Sequence, residues 1–284
     1  MLPDATLQIG AMSKLRAEVD HLTPALRRLA SAVLARPREV IYQSITELAD
    51  EAKVGEASVI RLCRDLGFKG FQDFKLALAA DLATQPERSE VYAENSLPEL
   101  LERVTQGASL ALRETRASLD PTALEDVVGA LLKAEVVLIY GAGASGVTAG
   151  DFAYKFLRLG YHALAPTDAH LAAMTAATLP QASVLISLTR SGSTLDTLKV
   201  LELARARGAT TVVVSQRLKS PAVALADIML YTASSESPLT GGSIASKMGQ
   251  LLLLDVLYAS LLLRKQGAQR SVAATAQAVT DRNP

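Results

Sequence analysis

Cysteine is nearly absent from these 284 residues and tryptophan is absent altogether. A single thiol, Cys63, excludes an internal disulfide and any multi-cysteine metal site. Three histidines (His21, His162 and His170) are scattered through the chain, so no zinc site is expected. An excess of one charge is also lacking: 29 Lys and Arg balance 29 Asp and Glu, and net charge alone points to no partner. No basic segment followed by an apolar stretch opens the chain (MLPDATLQIG), so no signal peptide is expected. The most lipid-like run, LLLLDVLYASLLL at 251–263, carries Asp255 and falls short of the roughly 20 residues a bilayer requires. These absences lead us to expect a cytoplasmic protein with no metal, no cofactor and no membrane partner.

What is present is 49% apolar residues against 20% charged, enough for two modest domains. Residues 1 to about 82 read as short amphipathic helices. A polar stretch at 83–96, including TQPERSEVYAENS, breaks that pattern and reads as a linker. Two more helical stretches follow from Leu97 to Lys133, split at Asp120-Pro121, a cap followed by a first-turn proline. Apolar runs then recur at 135–140 (EVVLIY), 161–165 (YHALA), 182–187 (ASVLIS), 210–214 (TTVVV) and 227–231 (DIMLY), most with a helical stretch behind. Strands alternating with helices predict a doubly wound α/β domain with a parallel sheet over 97–284. Ligands on such sheets bind beyond the carboxyl ends of the strands.

The first strand ends in YGAGASGVTAG, whose Gly141, Gly143 and Gly146 match the dinucleotide fingerprint G-x-G-x-x-G. Asp168, after the second strand, would supply the acid such a site needs for a ribose, so this loop alone leaves a dinucleotide open. After the third strand stands Thr189-Arg190-Ser191-Gly192-Ser193-Thr194, with four hydroxyls ahead of a helix. Hydroxyls and backbone N–H groups at a helix start favour an anion. Ser145 occupies the matching place in the first loop. One such loop is ordinarily just a helix cap; two at corresponding strand ends favour a phosphate with neighbouring hydroxyls.

The stretch GAGASGVTAGDFAYKFLRLG resembles the first conserved segment of the SIS (sugar isomerase) domain. TRSGSTLDTLKVLELARARGA is similar to its second, written S-x-S-G-x-T. That resemblance implies a flavodoxin-like domain binding a phosphosugar, with Ser145, Thr189, Ser191 and Thr194 on the phosphate and Gly143, Gly192, Ser193 and Lys247 completing the site. Thr189 stands where Ser is usual, and Thr240 where a basic residue is usual.

In the N-terminal half, Ser44 and Glu47 have capping-box spacing at the head of a helix through about Ala52. Val54-Gly55-Glu56 connects to a second helix from Ala57 to about Leu66, stopped by Gly67. Val59, Ile60, Cys63 and Leu66 share its inward face, while Ser58, Arg61 and Arg64 point outward. This is the outline of an all-α helix-turn-helix domain. From Lys53 to Lys75 five basic residues stand against Glu56, Asp65 and Asp73, so charge leaves a plain helical bundle equally open. The segment LTPALRRLASAVLARPREVIYQSITELADEAKVGEASVIRLCRDLGFKGFQDFKLALA resembles the DNA-binding domain of RpiR-family transcriptional regulators, which join this unit to an SIS domain in this order. Gly55 replaces the Ser or Thr common at the recognition-helix cap.

The resemblance implies a regulator of sugar or sugar-acid metabolism acting as a homodimer or homotetramer on double-stranded DNA. Its expected DNA contacts are Ser44, Lys53, Glu56, Ala57, Ser58, Arg61, Arg64 and Lys69, with Lys75 as a further phosphate contact. The linker is the expected hinge. The alternative is a phosphosugar isomerase with an accessory helical domain, for which Glu236 and His170 are the available base and ring-opening residue. Regulation is favoured and no catalytic residue is expected. The helix over 251–263 is apolar nearly all round, which predicts deep burial, in the domain core, at a dimer interface, or both.

Overall fold

A computed structural model describes residues 10–83, 96–233 and 243–280. The expected hinge therefore lies almost wholly outside the described residues, as do Glu236 and Thr240. The chain divides into two compact units, one running from the N-terminus through Arg103 and the other from Val104.

The first unit consists of helices α1 (Ala11–Glu18), α2 (Pro24–Ala35), α3 (Pro37–Val40), α4 (Ile45–Ala52), α5 (Glu56–Asp65) and α6 (Phe71–Ala83), with α7 (Leu97–Ser118) beginning in it. Its start and stop signals act as local chemistry requires. The Ser44 hydroxyl accepts from the Glu47 N–H at 3.1 Å and the Glu47 carboxylate accepts from the Ser44 N–H at 2.7 Å. Gly55 caps α5 without a side-chain bond, and the helix forms all the same. Gly67 takes a φ of 84°, and the Phe68 N–H returns to the Cys63 carbonyl. Leu15, Leu29, Val33, Leu48, Leu62, Phe74 and Leu78 form one core. Leu62 is buried and Ile60 only half-buried. The inward stripe of α5 is thus rotated slightly from the one expected. Cys63 belongs to this core, and burial pushes its thiol up to about 12.

The second unit continues α7 and adds α8 (Pro121–Lys133), β1 (Val136–Gly141), α9 (Ala144–Arg158), β2 (His162–Leu164), α10 (Ala169–Ala177), β3 (Ser183–Thr189), α11 (Leu195–Ala206), β4 (Thr210–Ser215), α12 (Pro221–Ala224), β5 (Ile228–Tyr231), α13 (Ile244–Arg264) and α14 (Ala268–Thr280). All five strand positions match the expected runs to within a residue or two. They pair in parallel in the order β2-β1-β3-β4-β5. One face packs Val137, Ile139, Val184 and Ile186 against Phe152 and Phe156 of α9 and Leu253, Leu254 and Leu257 of α13. The other packs Leu138, Tyr140 and Leu185 against Ala172 of α10 and Val200, Leu201 and Ala204 of α11. Each fully buried Phe contributes about 1.5–3 kcal/mol of transfer free energy.

Helix α13 has 21 residues and is long and apolar enough by length and composition to cross a bilayer. Its Leu253, Leu254, Leu257 and Leu261 are buried in the sheet core, the ordinary position of a covering helix. Burial is one-sided, however: Val256 is 40% and Leu263 80% exposed.

Candidate functional site

The strand order decides where the hydroxyl loops meet. β1 and β3 are neighbours, and Gly141 stands opposite Leu188. The chain leaving β1 turns into α9 on one face, while the chain leaving β3 turns into α11 on the other. Such a divergence opens a crevice at the carboxyl edge, the usual ligand position in doubly wound sheets. The two loops singled out in the sequence flank it.

In the first loop Gly143 takes a φ of 58°, while Gly141 and Gly146 serve close packing. A Cβ at Gly141 would stand 2.7 Å from the Ser145 backbone, and one at Gly146 would stand 2.8 Å from the Gly141 carbonyl. Strand end and helix start thus interlock, with Ser145 half-buried in the first turn of α9. Asp168, the acid a ribose would need, instead caps α10, accepting from the Leu171 N–H at 2.8 Å. Tyr140 lies buried at the end of β1; burial, then the Asp196 and Asp168 carboxylates, raises its phenol above the usual tyrosine range.

In the second loop, Thr189 Oγ1 accepts from the Gly192 N–H at 3.1 Å and Ser191 Oγ accepts from the Ser193 N–H at 3.3 Å. Ser193 Oγ donates to the Ser191 carbonyl at 3.3 Å. Thr194 is the N-cap residue of α11, yet its hydroxyl makes no capping bond. That leaves the hydroxyl and the first-turn N–H groups of α11 open to an anion. Gly192 adopts a φ of 65° and packs on Ser220, while its carbonyl accepts from the Ala222 N–H at 2.9 Å. Lys247 stands half-buried in the first turn of α13. Two residues on, Gly249 packs near Thr232, just past the carboxyl end of β5. That places the start of α13 along the same edge of the sheet as both loops.

In the helical unit, α5 exposes Ala57, Arg61 and Arg64, with Ser58 half-buried. Arg61 approaches Asp65 at 3.7 Å, a weak pair between exposed groups. The Glu56 carboxylate accepts the Thr46 hydroxyl, tying the start of α5 to α4. Lys53 and Lys69 are exposed.

Comparison with known proteins agrees with this architecture. Residues 9–85 match the helix-turn-helix domain of the rpiR family and residues 130–260 match the SIS domain. An uncharacterized HTH-type transcriptional regulator of Haemophilus influenzae is 35% identical over 274 residues, 94% of each chain. The chain belongs to the rpiR family. The uncharacterized regulator YbbH of Bacillus subtilis is also 35% identical, over 88% of this chain and 89% of that protein. The solved structure of Vibrio vulnificus NanR complexed with ManNAc-6P shares 34% identity with a TM-score of 0.87, covering 96% of this chain and 99% of that one.

For this rpiR-family regulator, two expected DNA contacts are corrected. Ser44 is fully buried, and its hydroxyl holds the start of α4. Lys75 is only 3% exposed; its ammonium donates to the Gln43 carbonyl at 2.7 Å and lies over the Phe71 ring. Neither side chain can reach a phosphate. Thr189 is also buried, so it shapes its loop, whereas Ser145, Ser191, Ser193 and Thr194 are half-buried beside the crevice.

The sequence reading missed the loop after β4. Ser215 pairs in register with Thr189. The next residue, Gln216, is 5% exposed, and its Nε2 has no acceptor. Ser220 caps α12 and forms the wall behind Gly192. The signal available was a third polar segment, Ser215-Gln216, at a strand's carboxyl end. A cleft of 420 Å³ opens elsewhere, lined by Asp126, Lys133, Gln181, Ser183 and Thr210. It lies at the amino ends of β3 and β4, the edge opposite the hydroxyl loops.

Proposed function

We propose that this regulator binds a phosphorylated sugar between the loops 141–145 and 189–194 and thereby changes its hold on an operator. The observation that carries the reading is the adjacency of β1 and β3, which sets both hydroxyl loops at one crevice. Gly143, Ser145, Ser191, Gly192, Ser193, Thr194 and Lys247 contact the ligand, and Thr189 shapes the loop. NanR, a third identical to this chain, is the precedent for a phosphosugar.

The helical unit, residues 1–82, reads DNA through Lys53, Glu56, Ala57, Ser58, Arg61, Arg64 and Lys69. Residues 83–96 join it to an effector domain over 97–284. A cytoplasmic homodimer or homotetramer sets two recognition helices about 34 Å apart, one helical turn of the duplex. Coupling requires the ligand to prefer one state; a hundredfold change in operator affinity needs about 2.7 kcal/mol of differential binding. The relatives above, being named regulators, favour this role over an isomerase.

The test is anisotropy of a labelled duplex, selected from a random pool by the wild type at fixed salt, titrated with a panel of sugar phosphates. One compound should shift the operator affinity. Replacing Ser191 and Thr194 together with Ala should remove that shift and leave ligand-free DNA binding intact. A full response in the double variant would refute the assignment of the site.

A further inference from the structure

We infer that Arg28, which lies outside the two helices of the helix-turn-helix, grips an operator phosphate together with Lys53. This rests on the DNA-reading role of the helical unit.

Helix α2 packs behind both α4 and α5, and Arg28 is exposed on it. Its Nη2 reaches the Lys53 carbonyl at 3.4 Å, across 25 residues of sequence. Lys53 closes α4 in the left-handed conformation, with a φ of 52°, the one positive φ outside glycine among the described residues. Its side chain is exposed as well. Two cations thus stand at one turn, and neither has an ion-pair partner among the described residues.

Two acids of this region are engaged elsewhere. Glu56 accepts the Thr46 hydroxyl, and Glu51 is held by Arg36 and by Gln43. The turn that Arg28 supports leads through Gly55 into the first turn of α5, the part of a recognition helix that reaches base edges. The sugar-phosphate backbone bordering the groove then passes this turn. With one N–H on the Lys53 carbonyl, the exposed guanidinium keeps further donors in the fork geometry that suits a phosphate. A phosphate held by these two exposed cations is bound through its charge, and that attraction is independent of base sequence.

The experiment measures duplex affinity of the full chain against salt, for the selected operator and for an unrelated duplex, with R28Q, R28K and R28A. Glutamine and alanine both remove the charge and the bond to the Lys53 carbonyl, glutamine keeping the polarity of the stem; lysine retains the charge. One phosphate contact contributes about 0.9 to the slope of log affinity against log salt. R28Q and R28A should both lose about that much slope on both duplexes. Their deficit against wild type should shrink about 3.5-fold between 50 and 200 mM salt. R28K should keep most of the slope. If R28Q and R28A bind poorly but keep the wild-type slope, Arg28 acts only by holding the turn and the inference fails. Wild-type binding with unchanged slopes in every variant would also overturn it. Absence of any salt-sensitive duplex binding by wild type would refute the DNA-reading role itself.

Discussion

Replacing Gly192 with Ala puts the second loop under a strain whose size follows from the coordinates. The backbone there has a φ of 65°, and an added Cβ would stand 2.0 Å from Ser220 Oγ and 2.4 Å from Ser220 Cβ. Left-handed backbone costs an alanine about 1–2 kcal/mol. The hydroxyl can rotate away, but the Ser220 Cβ cannot, so the start of α12 must shift. Loss of the bond from the Val223 N–H to Ser220 Oγ adds about 1 kcal/mol, the usual cost of a lost cap. The sum is about 2–3 kcal/mol. For a unit of this size, each kcal/mol lowers the melting temperature by about 2–4 °C, giving a fall of about 4–12 °C. Calorimetry of G192A checks it, and the G192A/S220G double variant separates the two causes. Measured against S220G alone, which already lacks the cap bond, the double variant should show only the backbone part. A G192A transition within about 1 °C of wild type would show that the loop is not built around this glycine.

Three further outcomes follow from positions that the fold reassigned. S44A should destabilise the helical unit by about 1 kcal/mol in denaturant melts with no change in the salt slope of DNA binding; a changed slope would return Ser44 to the DNA face. K75M should lower stability by leaving the Gln43 carbonyl without its donor, and its salt slope should stay at the wild-type value; a loss of one phosphate contact would refute the burial argument. Cys63 holds its proton to about pH 12 when folded, against 9.0 for the ordinary thiol. Stability from this group is therefore complete below about pH 9 and falls as pH rises from there toward 12. C63A should flatten that part of the pH profile, and a thiol reagent at pH 8 should label wild type only as fast as it unfolds.

Local signals in the chain were sufficient for the elements. Ser44 and Glu47 pair three residues apart, Gly67 ends α5 by its own backbone freedom, and five apolar runs became five strands. Caps and periodicity depend on neighbours within one or two turns, so no distant contact is needed to interpret them. The hydroxyl-rich loop at 189–194 was legible for the same reason: its bonds run only two or three residues. What the chain could not disclose is which segments lie side by side. The order β2-β1-β3-β4-β5 sets the two loops at one crevice and adds the loop of Gln216 and Ser220, and strand order is a property of the assembled sheet. Burial is equally non-local. Ser44 and Lys75 looked exposed by residue type, yet the packing of the helical core enclosed them, and Arg28 reached the Lys53 carbonyl from another helix. Local chemistry determined where each helix and strand begins and ends, because those free energies are settled within a turn. Tertiary packing decided which polar groups remain available to a ligand or a phosphate, because a side chain's access to solvent depends on everything folded around it.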